Sequence, residues 1–230
     1  MKVLHINFSD TKGGASIACF RLNDCLIKNN YNSKLLVAEK FSDNINVITF
    51  NKIYSKLFYK LKKFLSRLLS KVYEKLKKKD ISLFLFQSNL KHKIQKFNPD
   101  IINLHWICNE TLSLKELNQI NKPIIWTLCD MWPFLGLEHV DFNLNQKSYW
   151  NDEKILNSKK FDLNHYALKR KISSLKFKLK IVAISSWLAK QAKKSILFKK
   201  LDIRVIPCCL DFNIWVPKKK LESRKNLNFN

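Results

Sequence analysis

Short apolar runs alternate with longer segments of helical periodicity along the chain. The apolar runs predict strands at residues 2–8, 33–38, 101–105, 123–128, 180–184 and 203–206. Apolar positions three and four residues apart predict helices that begin at residues 15, 83, 112, 161 and 186 and end near residues 29, 97, 120, 177 and 197. Strands that alternate with helices in this way are typical of an α/β fold with a doubly wound, mainly parallel sheet.

Four predicted loops follow strands of this sheet and carry candidate binding residues. In doubly wound sheets, ligands bind beyond the carboxyl ends of the strands, in the loops that lead into helices. Three of these loops carry unusual residues, at 9–14, 105–110 and 129–136. The fourth, at 185–187, supplies the beginning of a helix that Ser185 can cap. Because each loop follows a predicted parallel strand, we expect all four to converge at one edge of the sheet.

Residues 52–79 form a segment of a different kind. They contain eleven Lys and Arg and one acid, and apolar residues recur on one face of the predicted helix. These apolar residues are Tyr54, Leu57, Phe58, Leu61, Leu65, Leu68, Val72 and Leu76. Two interpretations fit equally: the helix lies on an anionic membrane surface, or its apolar stripe packs on the core beneath a solvated lysine face. Nucleic acid fits less well, because base stacking needs aromatic side chains on the basic face.

The composition is that of a folded and strongly basic protein. Hydrophobic residues make up 46% of the 230 residues, and 43 Lys+Arg against 18 Asp+Glu give a formal net charge of +25. This charge attracts polyanions, or it reflects a general lysine bias without a specific partner. No segment has the pattern of a signal peptide or a membrane span, and the six cysteines include no C-x-x-C pair. We therefore expect a cytoplasmic protein with reduced cysteines, either free or peripheral on the inner face of the plasma membrane.

Three loop motifs carry candidate chemistry, and each has a structural alternative. Gly13 and Gly14 either let backbone N–H groups approach a phosphate or form a tight turn. His105 either hydrogen-bonds a ligand or packs as a buried histidine. Asp130 either orients a ligand hydroxyl and assists proton removal, or caps its own loop. His105 and Cys108 alone are too few for a metal site, so we expect no metal.

Five segments, in the same order along the chain, resemble family 4 glycosyltransferases, especially those of colanic-acid type. Residues 7–15 (NFSDTKGGA) resemble the first loop of that family, and residues 103–106 (NLHW) resemble its NLHW strand end. Residues 126–134 (WTLCDMWPF) are close to its signature WTLHDMWPFTGGC. Residues 183–189 (AISSWLA) are similar to APSxWLA, and residues 206–213 (IPCCLDFN) are similar to IPNGIDTNxF. The matches span nearly the whole chain, and the tryptophan-rich signature is specific.

The resemblance implies a GT-B fold, in which two Rossmann-like domains enclose a cleft. The N-terminal domain binds the acceptor, a polysaccharide or lipid-linked sugar, and the C-terminal domain binds the nucleotide-sugar. Such enzymes typically retain the anomeric configuration and need no metal, and we expect no cofactor. By this resemblance the candidate catalytic residues are Asp130, His105 and Cys129, the last at the position of a family histidine. The candidate residues for binding donor phosphate or acceptor are Gly13, Gly14, Trp106, Trp132 and Ser185.

The same resemblance implies a domain division. It assigns residues 1–216 to an acceptor-binding Rossmann-like domain with a basic helical insertion at about 50–97, and residues 217–230 to the start of an interdomain linker. The donor domain is then absent, so we expect no sugar transfer by this chain alone, and a separately encoded donor domain is a possible partner. Residues 135–139 (LGLEH) replace the family's TGGCH run, a further departure. The alternative function is a non-catalytic basic module that binds an anionic membrane or, less readily, nucleic acid.

Overall fold

The structure, a computed structural model, describes residues 1–49, 53–77, 81–86, 88, 90–158, 162–175 and 179–229. Within these residues, seven strands form one sheet in the order β3-β2-β1-β4-β5-β6-β7, and all neighbouring strands are parallel. The strands are β1 (Lys2–Ser9), β2 (Asn32–Glu39), β3 (Val47–Thr49), β4 (Ile101–Leu104), β5 (Ile124–Leu128), β6 (Leu179–Ala183) and β7 (Ile203–Val205). This is a doubly wound, Rossmann-like α/β sheet, so the predicted fold class is confirmed.

Strand β1 lies inside the sheet, between β2 and β4. Its residues Leu4 and Ile6 are completely buried, as expected for a parallel strand covered on both faces. The chain winds outward from β1 through β2 to β3, and then crosses to β4 on the other side of β1. The direction of winding therefore reverses between β1 and β4. In sheets of this type, ligands bind beyond the carboxyl ends of the strands at that reversal.

Eight helices are present in the described part of the chain. They are α1 (Gly14–Lys28), α2 (Ile53–Lys77), α3 (Lys91–Phe97), α4 (Leu114–Leu117), α5 (Glu153–Leu156), α6 (Leu163–Ser174), α7 (Ser186–Lys194) and α8 (Lys220–Asn226). Helix α1 buries a face of small and polar side chains, namely Ser16, Cys19 and Asn23. Among the described residues, no helix combines the length and the apolar character that a membrane span requires.

The six predicted strands are all present within one or two residues of their expected ends. The structure adds β3, which the sequence analysis missed because three residues at a sheet edge are too few to show a period. Several helices are shorter than predicted: α4 is one turn within 112–120, and α7 ends at Lys194. Helix α6 falls within the prediction at 161–177, of which residues 161, 176 and 177 lie outside the described residues.

The helix predicted at 83–97 is wrong in its first half. Only α3 is helical, and the described residues before it run without helix, with Ile81 bridged antiparallel to Glu138. The backbone N–H of Phe86 donates to the Glu110 carboxylate at 2.8 Å, and another N–H in this segment donates to a second buried acid. These carboxylates therefore bind N–H groups that a helix would pair with its own carbonyls. Residues 87 and 89 of the predicted helix lie outside the described residues.

Helix α2 confirms the helix predicted at 52–79 over the residues that the structure describes; residues 52, 78 and 79 lie outside them. Its polar side faces the domain. Tyr59 Oη donates to the carbonyl of Asn109 at 2.8 Å, and Ser66 Oγ donates to Glu110 at 2.8 Å. The opposite side exposes large apolar residues, namely Leu57, Phe58, Leu61, Phe64, Leu65, Leu68 and Leu69. For these described side chains, the interpretation of a stripe packed on the core is wrong.

The main core holds a group of aromatic rings that includes Trp126, Trp132 and Phe134, all at most 1% exposed. Lys171 of α6 is buried among them. Its Nζ donates to the carbonyls of Trp132 at 2.5 Å and Leu135 at 3.0 Å, and lies 3.7 Å from the Trp132 ring centre. Burial lowers the pKa of Lys171 to about 7. The lysine thus ties α6 to the loop that follows β5.

Candidate functional site

An open pocket of about 320 Å³ lies at the carboxyl ends of β1, β4 and β5, where the direction of winding reverses. The residues that line it are Phe8, Lys12, Gly13, Gly14, Ala15, Ser16, Trp106, Cys129 and Asp130. They come from three of the four loops that we expected to converge at this edge of the sheet. The pocket therefore brings together five of the residues proposed from the sequence: Gly13, Gly14, Trp106, Cys129 and Asp130.

The beginning of α1 forms one wall of the pocket. Gly13 precedes the helix with a φ of 91°, a conformation that favours glycine. No side chain caps this end of the helix, and its first turn carries no acid. The first backbone N–H groups therefore lack partners within the helix. A Cβ built at Gly13 or Gly14 would meet nothing within 4 Å, so the space before these groups is open to an anion such as a phosphate.

Buried polar side chains hold the loop between β1 and α1 in place. The carboxylate of Asp10 accepts the backbone N–H groups of Phe41 at 2.9 Å and of Ser42 at 2.8 Å. Across the loop, the hydroxyls of Ser9 and Ser16 lie 2.8 Å apart and share a hydrogen bond. This wall of the pocket is therefore fixed by the fold itself and needs no ligand to order it.

Asp130 supplies the carboxylate of the pocket, and three donors fix its orientation. Its Oδ2 accepts the indole N–H of Trp106 at 2.9 Å and lies 2.6 Å from Nδ1 of His139. Its Oδ1 accepts the backbone N–H of Trp132 at 3.0 Å. An ionised carboxylate has about four acceptor positions, so one stays available to a ligand.

His139 links Asp130 to Ser82. Its Nδ1 lies 2.6 Å from the carboxylate, which accepts hydrogen bonds, and its Nε2 lies 2.7 Å from the Ser82 hydroxyl. Serine, histidine and aspartate follow one another in this order in hydrolase triads. Here, however, the backbone N–H of Ser82 donates to the carbonyl of Leu137 at 2.9 Å and is not free to stabilise an oxyanion. The chain of hydrogen bonds therefore serves to orient Asp130.

The indole ring of Trp106 is held between two other rings. It stacks on His139 with ring centres 5.6 Å apart and an interplanar angle of 23°. It meets Phe8 edge-on, with ring centres 5.6 Å apart and an angle of 70°. Together with its hydrogen bond to Asp130, these contacts make Trp106 a rigid aromatic surface beside the carboxylate.

Three residues proposed from the sequence lie away from the pocket lining. His105 is buried behind it, with Nε2 3.1 Å from Nδ1 of His5. Trp132 is a core residue whose indole N–H donates to the carbonyl of Ser82 at 3.0 Å. Ser185 caps α7, since its Oγ accepts a backbone N–H of the first turn at 3.2 Å. Each has a structural partner that accounts for its position.

Cys129 lines the pocket at the position of the family histidine. Burial, with a smaller contribution from neighbouring Asp130, raises the pKa of its thiol to about 12. The thiol is therefore neutral at physiological pH, and its Sγ lies 3.8 Å from the carbonyl of Thr127, in reach of a weak hydrogen bond only. Cys129 offers no equivalent of an imidazole for proton transfer.

The sequence analysis missed His139 as a site residue. It ends the run at 135–139, which we treated only as a departure from the family pattern. The loop folds back so that the carbonyl of His139 accepts the backbone N–H of Met131 at 3.0 Å, and this places the ring on Asp130. A spacing of nine residues within an irregular loop carries no periodic signal that would have revealed the pair.

The structure is a Rossmann-like α/β domain with an open pocket at the point where the sheet reverses its winding. The chain is similar to sucrose-phosphate synthase from Thermosynechococcus elongatus, with a TM-score of 0.53 and 13% identity over 100% of this chain and 53% of that one. It is also similar to HepE of Anabaena, solved in complex with UDP, with a TM-score of 0.46 and 16% identity over 99% of this chain and 50% of that one. No family profile and no curated protein sequence matches the chain. The likeness to the synthase establishes a shared fold, and the chain spans about half the length of either structure.

Proposed function

We propose that this domain binds the acceptor in a family 4 glycosyltransferase of GT-B type, which transfers a sugar from a nucleotide-sugar to a polysaccharide or lipid-linked acceptor. The observation that carries the proposal is the fixed carboxylate of Asp130 beside the rigid indole of Trp106 in the pocket. The motif resemblance at residues 126–134 supports it, because this segment supplies Asp130. The fold shared with sucrose-phosphate synthase is compatible with it.

The pocket offers the two kinds of contact that a sugar ring uses. The carboxylate of Asp130 accepts hydrogen bonds from hydroxyl groups, and hydrogen bonds to an ionised group are stronger than those to a neutral one. The flat indole of Trp106 packs against the C–H face of a pyranose. Because both side chains are already fixed by contacts with His139, a sugar that binds between them orders few protein groups.

The beginning of α1 adds a place for an anion. Gly13 and Gly14 line the same pocket as Asp130 and Trp106, and the space beside them is open to an anion at the first N–H groups of α1. A phosphate of the nucleotide-sugar, or one that links the acceptor to its carrier, suits these groups. Asp130 then orients the acceptor hydroxyl toward the anomeric carbon of a donor that the second domain of the enzyme holds. His105 is buried and is not among the residues that line the pocket, so we give it no part in the transfer.

The experiment that tests this proposal is a binding titration with the full chain. Saturation-transfer NMR would measure the affinity for a panel of neutral oligosaccharides and for sugar phosphates. We expect at least one saccharide to bind, and Asp130→Asn to weaken it about ten- to hundredfold, because a charged acceptor is lost. The matched control is Asp202→Asn, at an exposed acid that precedes β7 and lies at the opposite end of the sheet. If no saccharide binds, or if Asp130→Asn binds as tightly as the original chain, the proposal is wrong.

We also propose that α2 holds the domain on an anionic membrane surface. The observation that favours it is the exposed apolar face of this helix, where Leu57 is 70% exposed and Leu68 is 53% exposed. Polar side chains on the other side of α2 bond to the domain, as Ser66 does with Glu110. An apolar face that points away from the domain and is bordered by lysines suits insertion among anionic headgroups.

Vesicle sedimentation tests the membrane proposal. We expect the chain to bind vesicles with phosphatidylglycerol more tightly than neutral phosphatidylcholine vesicles, and to be released by added salt. Replacing Leu61, Leu65 and Leu68 with serine should weaken binding at least about tenfold, because each leucine contributes on the order of 1 kcal/mol on insertion. The control is Leu221→Ser, at an even more exposed leucine of α8. Equal binding to neutral and anionic vesicles, or no loss in the triple variant, would exclude this role.

A further inference from the structure

Behind the candidate pocket, three potential metal ligands meet in the core. His5 belongs to β1, Cys19 to the buried face of α1, and His105 directly follows β4. All three are at most 4% exposed. One donor atom of each lies within 4.8 Å of the other two, and the nitrogens of His5 and His105 are 3.1 Å apart.

We propose that His5, Cys19 and His105 form a binding site for one thiophilic transition-metal ion, for which Zn²⁺ is the natural probe. Two imidazoles and one thiolate are ligands that Zn²⁺ and its neighbours in the first transition series prefer, whereas Mg²⁺ and Ca²⁺ select oxygen. None of the three residues lines the candidate pocket, so the proposal stands whether or not the domain binds an acceptor.

The distances between the three ligand atoms fit a bound metal ion after a small movement of the Cys19 sulfur. With bonds of about 2.0–2.1 Å to nitrogen and 2.3 Å to sulfur, ligand atoms around tetrahedral zinc lie about 3.3–3.6 Å apart. The two imidazole nitrogens are already within a few tenths of that separation. The ligand atoms all lie within 4.8 Å of one another, so the sulfur of Cys19 needs to move by no more than about 1.5 Å. Strands and a helix hold the three residues, so the site is largely formed in advance.

The environment leaves the two imidazoles ready to coordinate. Burial lowers the pKa of His5 to about 4 and lowers that of His105 well below its usual value, so both rings are neutral at physiological pH. Burial raises the pKa of the Cys19 thiol, and a bound metal ion would reverse this by displacing the proton. The thiolate charge then offsets part of the charge of the ion, which is what a buried cation needs.

The hydrogen bonding of the His5 ring is incomplete in the structure. The Nε2 atom of His5 is completely buried and has no hydrogen-bond partner among the residues that the structure describes. An unsatisfied buried polar atom costs about 1–3 kcal/mol, so such atoms are rare in folded proteins. The direct bond between His5 and His105 uses only one nitrogen of each ring. A metal ion held by the two facing nitrogens would take the place of this hydrogen bond, and Nε2 of His5 would keep the ring proton.

The cluster gives no signal in the sequence. Cys19 and His105 belong to different elements, and His5 and His105 are 100 residues apart. Our sequence analysis considered only His105 with Cys108 and expected no metal. Cys108 is also buried, but the described structure does not place it in this cluster. It therefore serves as a matched control.

The test measures metal binding directly, in the full chain with Cys208 and Cys209 replaced by serine, because adjacent thiols can bind zinc themselves. The apoprotein is titrated with Co²⁺, followed by its visible absorption, and then with Zn²⁺ in competition. We expect one equivalent of Co²⁺ to bind with a thiolate-to-cobalt charge-transfer band, and Zn²⁺ to displace it. Zinc should also raise the melting temperature, since the ion binds only the folded chain.

Three variants decide the assignment. Cys19→Ser should abolish the charge-transfer band and weaken Co²⁺ binding at least about tenfold, and His5→Gln should weaken it comparably. Cys108→Ser should leave stoichiometry and spectrum unchanged. If His5→Gln fails to fold, Cys19→Ser alone is decisive, because serine fits wherever the buried cysteine fits. Failure of the original chain to bind one equivalent, or an unchanged band in Cys19→Ser, would overturn the proposal.

Discussion

The imidazole of His139 lies 2.6 Å from the carboxylate of Asp130, and the two side chains come from opposite ends of one irregular loop. The same imidazole stacks on Trp106, whose indole N–H donates to the same carboxylate oxygen. Asp130, His139 and Trp106 thus form a closed set of three contacts. Because each member is held by the other two, the carboxylate is oriented before any ligand arrives.

The first prediction concerns His139. Replacing it with phenylalanine keeps a ring on Trp106 and removes the hydrogen bonds to Asp130 and Ser82. We expect saccharide affinity to fall about tenfold, because the carboxylate loses a donor and its fixed orientation. The NMR titration described above measures this loss, and circular dichroism checks the fold. His92→Phe, at an exposed histidine, is the control and should bind normally. Normal binding by His139→Phe would show that the imidazole has no part in the site.

The second prediction ranks alanine substitutions at the three glycines by their effect on the free energy of unfolding. Alanine at Gly136 would place its Cβ 2.4 Å from the backbone of Asn164, so we expect a loss of about 3 kcal/mol or more. Alanine at Gly13 is strained by the positive φ and should cost about 1–3 kcal/mol. Alanine at Gly14, the first residue of α1, meets open space and should change stability by less than about 0.5 kcal/mol. Urea unfolding measures all three, and the reverse order would contradict the backbone described here.

The third prediction concerns the pH dependence of stability that Lys171 causes. Its pKa is about 7 in the folded chain, below the value of about 10.4 for a free lysine. Between these values the unfolded chain binds more protons, so the contribution of Lys171 to stability rises with pH from about 7 to 10.4. Lys171→Met should remove this rise, whereas Lys169→Met, at an exposed position of α6, should keep it.

Chemical unfolding at several pH values measures this effect as the difference between each variant and the original chain. The difference is needed because the buried thiols of Cys19 and Cys108 also have raised pKa values. These thiols make the folded chain less stable as the pH increases. A difference between Lys171→Met and the original chain that stays constant with pH would show that Lys171 is charged throughout.

The fourth prediction concerns Cys129, which stands where the family resemblance places a histidine. Its neutral thiol is a poor hydrogen-bond partner, whereas an imidazole can both donate and accept. We expect Cys129→His to tighten saccharide binding severalfold, because the residue lines the pocket beside Asp130. The comparison is Cys129→Ser, which places a hydroxyl of similar size, but no imidazole, at this position. Equal affinities for all three chains would show that this position does not contact the ligand.

Much of the framework could be predicted from the sequence. Six of the seven strands produce apolar runs, and loops after parallel strands have only one edge at which to meet, so Gly13 and Asp130 were expected to share a site. What could not be predicted depends on tertiary contacts. Periodicity located α2 but could not decide which side faces the domain, because hydrogen bonds such as that of Ser66 with Glu110 determine it. The partner of Asp130 came from a loop without any period.

Sugar transfer in the source cells is the measurement that tests the central claim most directly. Cells that lack the gene would be complemented with the original chain, with Asp130→Asn or with Asp202→Asn, so that any partner domain is present. Membranes from each strain are incubated with radiolabelled nucleotide-sugars, and label in glycolipid and polysaccharide is counted. We predict that the original chain and Asp202→Asn restore incorporation, and that Asp130→Asn reduces it at least about tenfold. Full incorporation with Asp130→Asn, or no dependence on the gene at all, would contradict the account.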